Sequence, residues 1–224
     1  MEPSEQLRPA DSPFVESIRL IQFAAAGELL MAPDGCWDIA ILKRGDGVSV
    51  LRTGLTTRSV PVPHDIGDEI LVVSFKPSTF MPVMPGDAMR DRGVMLETFG
   101  GRRFRIGSDV LDIPDFENAD VFVERLVRNA IVESNDLVAS VIDGRPKAMS
   151  ERTLQRHFLH TTGLTFKRFT LIQRAQRAVA LLRDGRPAAQ VAVDLGYADQ
   201  AHLINSLRQI MGRTPGQIAR TAAP

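Results

Sequence analysis

The 224 residues include one cysteine, one tryptophan, one tyrosine and four histidines. A single thiol, Cys36, excludes an internal disulfide and any multi-cysteine zinc site, and it suits a reducing cytoplasm, the expected location. His64 is the only histidine in residues 1–120, so a histidine-rich metal centre has no raw material there. No Ser-His-Asp arrangement, phosphate-binding loop or dinucleotide fingerprint occurs either. Neither a metal, nor another cofactor, nor catalysis is expected. No apolar run approaches the roughly 18 residues of a membrane span. The opening stretch MEPSEQLRPADSP is proline-rich and lacks an apolar core, which predicts a frayed leader rather than a signal peptide.

What is present is unevenly placed. Residues 1–120 carry 12 Lys/Arg against 19 Asp/Glu, and residues 121–224 carry 15 against 8, so a formal net charge of zero hides halves of −7 and +7. Arginine supplies 13 of the 15 later cations. Its planar fork suits phosphates and guanine edges better than a lysine point charge. The split points to two domains, the second with a polyanionic partner.

The pattern of elements divides in the same place. Short Val/Ile/Leu-rich runs separated by turn residues fill the first half: WDIAIL, KRGDG, VSVLRT, then EILVVSF. DIGDE has the composition of a hairpin turn, and the spacing fits a small β-barrel or sandwich. FMPVMPGDAMRDRG, 80–93, is expected as a flexible flap or pocket rim. IPDFENAD, 113–120, marks the boundary, giving a β-rich domain 1–115 and an all-α domain 116–224. After it, VFVERLVRNAIVES and DLVASVI have helical spacing, and no β pattern recurs.

Ser150 is placed to cap ERTLQRHFLHTT, which Gly163 ends, and Thr165 to cap a long helix that Gly185 closes. Pro187 opens AAQVAVDL, Gly196 terminates it, and Asp199 caps QAHLINSLRQIM before Gly212. Two units therefore share a plan, a capped amphipathic helix following a shorter support. In the first, Leu154 and Phe158 face inward, leaving Arg152, Gln155 and Arg156 on the other face. In the second, Leu203 and Leu207 face inward, leaving Gln200, Ala201, Ile204 and Asn205 outward. Arg and Gln read guanine and adenine edges in the major groove, and an outward Ile can meet a thymine methyl. From Phe166 to Asp184 the connecting helix spans about 28 Å, against roughly 34–36 Å between successive major-groove faces.

The residues from about Asp136 to Arg220 resemble the DNA-binding domain of AraC/XylS-type bacterial transcription regulators. SERTLQRHF, GLTFKRF, QRAQRAVALL and GYADQAHL…GRTP carry the resemblance. It implies a helix-turn-helix transcription factor that binds double-stranded DNA through Arg152, Gln155 and Arg156, and through Gln200, Ala201, Ile204 and Asn205. The family usually has Arg at position 205 and Phe at 207, where Asn205 and Leu207 stand, which weakens the second reader. DGRPKAM replaces the usual support helix and glycine turn upstream of Ser150, so that support is expected to be irregular. The rival is an interaction or sensor protein whose DNA-reading domain is degenerate. The first half is more loosely similar to the cupin-like domains attached to some of these regulators. That implies effector sensing, homodimer formation or both, with RNA polymerase a further partner in an activator. Trp37 and Cys36, after a Pro-Asp-Gly turn, are the candidate pocket residues there, with core packing and an inert thiol as the alternatives. His157, His160 and His202 suit phosphate or solvent contact better than metal binding.

Overall fold

The computed structural model describes residues 3–145 and 150–220. The strands β1 (Ser4–Arg8), β2 (Val15–Gln22), β3 (Gly27–Met31), β4 (Trp37–Arg44), β5 (Gly47–Thr53), β6 (Val60–His64) and β7 (Glu69–Phe75) come first. After them run β8 (Thr79–Phe80), the one-turn helix α1 (Gly86–Met89), β9 (Gly93–Leu96), β10 (Thr98–Phe99), β11 (Arg103–Ile106) and β12 (Asp109–Asp112). The remainder is α2 (Ala119–Arg128), β13 (Glu133–Ser134), α3 (Asp136–Ile142), α4 (Glu151–Thr162), α5 (Phe166–Arg183), α6 (Ala188–Asp194), α7 (Gln200–Met211) and α8 (Pro215–Arg220). The architecture is α+β, strand-rich first and helical after.

Six strands pair antiparallel in the order β1-β2-β7-β4-β5-β9. Because successive side chains alternate across a strand, this sheet feeds two cores. Ile18, Ile39, Ile41, Val73 and Phe75 face the main one, and Ile21, Ala40, Ile70 and Val72 face a smaller one. The β3–β6 ribbon covers the smaller core through Leu29 and Val62. β7 is central and covered on both sides, which is why its sequence reads apolar almost throughout.

The β4–β5 hairpin forms as expected, with Gly45 at φ 52° in its turn. Residues 65–68 also turn, through Gly67 at φ 83°, but they close no hairpin. β6 pairs with β3, whereas β7 lies between β2 and β4, so this turn passes the chain from ribbon to sheet.

Three further expectations are corrected. The supposed frayed leader holds β1, which pairs with β2 as the sheet edge. Arg8 fastens it by an ion pair to Asp120 at 2.5 Å and by donation to the Phe116 carbonyl at 2.8 Å. The helix expected over 121–134 ends at Arg128. Ala130 turns at φ 51°, and Glu133–Ser134 pairs with β8, so a β pattern does recur in the second half. Ile131 and Val132 keep the apolar spacing of the helix but enter the core from a turn. The 80–93 segment is no flexible flap: Met81 and Met89 are buried, and α1 packs on α4. Its far end, Asp91 to Gly93, does rim a cavity.

The main core runs from Val15 in β2 to Ile218 in α8 without a break at 113–120. Phe104 on β11 meets Phe122 on α2 across that stretch, with ring centroids 5.9 Å apart. The two halves touch most tightly at two glycines. A Cβ on Gly86 would lie 2.3 Å from the Thr161 carbonyl oxygen, and one on Gly163 would lie 2.3 Å from the Gly86 oxygen. Two backbones therefore meet where no side chain fits. We expect Gly86→Val to cost about 1–3 kcal/mol through overpacking, measured by urea unfolding. Gly216→Ala, in open space on α8, should leave stability unchanged or slightly higher.

Candidate nucleic-acid interface

Both reader helices are built by the same local rules. In α4, Ser150 Oγ accepts from the Thr153 amide, and Gly163 ends the helix at φ 78°. In α7, Asp199 accepts from the His202 amide at 2.7 Å, and Gly212 ends it at φ 67°. Phe158, Leu203 and Leu207 are fully buried, and Leu154 is half-buried. This fixes the opposite faces. Arg152, Gln155 and Arg156 are exposed on α4, as are Gln200, Ala201 and Asn205 on α7, with Ile204 half-buried at the edge.

Support for α7 comes from α6 through a turn centred on Gly196 at φ 67°. Ala192 is buried where the helices cross, and its carbonyl accepts from the Tyr197 amide at 2.9 Å. Arg174 on α5 lays its guanidinium over the Tyr197 ring at 4.2 Å and donates to the Gly196 carbonyl at 3.3 Å. The glycine-tyrosine step is thus locked to the connecting helix. For α4 the support is α3, held by Asn135 donating to Thr161 Oγ1 at 2.9 Å. The part of DGRPKAM containing Pro146 lies outside the described residues.

The charge on this half is largely uncompensated. Among the described residues, Arg152, Arg156, Arg177, Arg183, Arg208 and Arg213 have no carboxylate within ion-pair distance. An unpaired guanidinium is free to take a phosphate. Gln155 is already engaged, donating to Glu151 at 2.9 Å. That contact uses one amide hydrogen and leaves the other, with the carbonyl oxygen, for a base edge. Two of the histidines, both exposed, also have partners within the chain. His160 pairs with Asp87 of α1 at 3.2 Å, while His202 Nδ1 accepts from the Ala198 amide at 3.3 Å.

In the β half, Trp37 lies in the main core, stacked on Phe75 at 4.1 Å with the Arg52 guanidinium 4.2 Å away on its ring. Its ring is packed in the core, the alternative weighed for it. The residue one step along the strand does the opposite. Asp38 faces the smaller core, where a cavity of about 230 Å³ lies between sheet and ribbon. Cys36 borders the same cavity, and burial, then Asp34 and Asp38, push its thiol well above the usual range. It is a neutral wall atom rather than a reactive thiolate. Asp38 accepts from Ser74 Oγ at 2.7 Å and Thr53 Oγ1 at 3.2 Å. Burial, then the neighbouring Asp34, raise its carboxyl to about 6.

The cavity loops also grip the readers. Thr57 accepts from Arg168 of α5 at 2.9 Å, Pro33 accepts from Gln176 of α5 at 3.1 Å, and the Ser59 amide donates to the Ile210 carbonyl of α7 at 2.9 Å. Sequence reasoning missed Asp38 and all of these contacts. Asp38 carried a signal in its odd-even offset from Trp37, whereas the backbone contacts carried none.

Two outcomes test this geometry. Asp199→Ala should cost about 0.5–2 kcal/mol by loss of the α7 cap, read by thermal unfolding. Because the Asp38 carboxyl is raised in the folded chain, the cost of ionising it is fully present above about pH 6 and is relieved as pH falls toward 4. Asp38→Asn should flatten the stability profile across that window, and at neutral pH the variant should be no less stable than the parent in urea.

Residues 147–221 match the family described as a helix-turn-helix domain. No curated protein sequence matches the chain. Among solved structures, ToxT from Vibrio cholerae O395 is similar at TM-score 0.46 and 11% identity, covering 98% of each chain. An apo ToxT variant from Vibrio cholerae strain SCE256 is similar at 0.45 and 10% identity, covering 96% of this chain and 100% of that one. ToxT bound to (E)-4-(8-methylnaphthalen-1-yl)but-3-enoic acid is similar at 0.40 and 10% identity, covering 98% of this chain and 100% of that one. Among the described residues, no helix is long and apolar enough to cross a membrane. With its helix-turn-helix match, two capped helices presenting arginine outward and the closing Gly-x-Thr-Pro motif, the chain carries at 147–221 a helix-turn-helix domain of the kind found in DNA-binding transcription regulators.

Proposed function

We propose that α4 and α7 enter successive major grooves of one DNA site, with α5 as the spacer, and that the β half senses a small-molecule effector. Residues 1–115 are the sensing half and 116–224 the reading half. The observation that carries the reading is the pair of capped helices with exposed Arg152, Arg156, Gln200 and Asn205, the two arginines free of ion pairs among the described residues, one helix preceding and the other following the 18-residue α5, and both packed on it. That helix is about 27 Å long. Gln155, Ala201 and Ile204 complete the base-facing set.

The sensing role is supported by the cavity, whose walls continue into the loops that hold α5 and α7. Binding there is equilibrium recognition without catalysis. Pairing of two chains through the β half, contact with RNA polymerase during activation and a cytoplasmic location complete the proposal on the family resemblance.

The test is a selection from random duplexes with the purified chain. An enriched motif with two half-sites about one helical turn apart supports it. No enriched motif, alongside tight binding to a protein, favours a degenerate reader. Arg156→Ala should cost about 1–3 kcal/mol on the selected site and relax preference at one base position. Affinity should fall steeply between low and physiological salt through counterion release, and a nearly flat titration would remove the arginine face as the docking surface.

A further inference from the structure

We propose that the cavity between sheet and ribbon binds a small apolar molecule bearing a protonated amine, with Asp38 as its counter-charge. The proposal deepens the sensing role above and rests on it only for the effect on DNA. The space, about 230 Å³, exceeds a 150 Å³ cavity known to hold benzene, so it fits one ring with a short arm. Ile21, Ala40, Leu42, Leu51, Val62 and Val72 supply apolar walls. The polar groups are gathered on Asp34, Asp38, Thr53, Thr56, Asp91 and Arg92.

The charge at that polar end selects the ligand head. Asp38 uses two of its lone pairs on Ser74 and Thr53 and has acceptor capacity left. Among the described residues it has no ion-pair partner, and Arg19, the cation facing it from β2, is engaged with Asp34 at 3.7 Å. The groups around Asp38 are thus Arg19 on β2, Asp34 and Cys36 on the preceding loop, Ser74 on β7, and Thr53 and the buried Arg52 on β5, whose guanidinium stacks on Trp37 and forms no ion pair with Asp38. Three carboxylates line the cavity against one guanidinium, that of exposed Arg92. A carboxylate ligand would add like charge, and a hydrocarbon would leave the Asp38 oxygens short of donors. An ammonium brings both donors and opposite charge.

The same wall reaches the readers. Asp91 accepts from the Thr57 amide at 2.6 Å and from its hydroxyl at 3.0 Å. Thr57 in turn holds Arg168 of α5. A ligand pressing on Thr56 and Asp91 therefore acts on the loop that clasps the connecting helix.

The experiment is calorimetric titration of the full chain with three probes sharing one body: cyclohexylmethylamine, cyclohexylmethanol and cyclohexanecarboxylate. Near neutral pH the amine should bind at least about tenfold tighter than the alcohol, and the carboxylate should not bind. Asp38→Asn should erase the preference for amine while leaving the alcohol unchanged. Amine affinity should also drop about tenfold by about pH 5, as Asp38 takes up a proton. Ala40→Leu, which narrows the space without touching the charge, should weaken amine and alcohol alike and serves if Asp38→Asn does not fold. Carboxylate binding as tight as amine, amine binding indifferent to both substitutions, or no amine binding would overturn the proposal. DNA affinity measured with saturating amine separates the two ideas. A shift supports both, and no shift with binding intact leaves the ligand site standing while ending the sensing role.

Discussion

Four helices of the second half, α4 and α6 to α8, hang on α5. Phe169, Ile172, Ala175, Ala178 and Leu182 are buried along it, and it packs against α4, α6, α7 and α8. The β half touches the same rod: a Cβ at Gly35 would already lie 3.2 Å from the Phe169 ring. A helix covered on several sides by different neighbours has no single apolar stripe, and its alanines let those neighbours come close. Both readers are therefore positioned by one stiff element. A shift of the β half acts on that element and also directly on α4 and α7.

The reader helices leave cations unpaired of a kind that other elements of the fold pair. In the β half, Arg8, Arg19, Lys43 and Arg44 each have a carboxylate within 4 Å. On the readers, Arg152, Arg156 and Arg208 have none among the described residues. Paired charges satisfy the fold, and unpaired charges on a rigid surface favour a polyanion from outside. A continuous apolar core joins the two halves across the change in net charge from −7 to +7.

The helical half was legible because its boundaries are local. Ser150, Thr165 and Asp199 cap where the sequence places them, and Gly163, Gly196 and Gly212 adopt the positive φ their positions imply. The β half was legible in its strands but not in their partners. Residues 65–68 turn as their composition implies, yet which strand lies beside β7 depends on two cores being filled together. Residues 80–93 looked like loop because their Met, Pro and Gly have no period. Their fixed position comes from contact with α4, a helix far along the chain.

Capping, glycine turns and odd-even alternation act over four residues or fewer, and these the amino-acid order determined alone: the two capped readers, their outward arginines and the runs that became strands. The placement of Trp37 in the core and Asp38 in the cavity required the sheet to have two covered faces. The approach of Gly86 to Gly163, and the grip of Thr57 and Ser59 on α5 and α7, required the halves to be docked. Tertiary structure decided these because each joins backbone or side-chain atoms from distant positions, and no local pattern encodes a distance across the core.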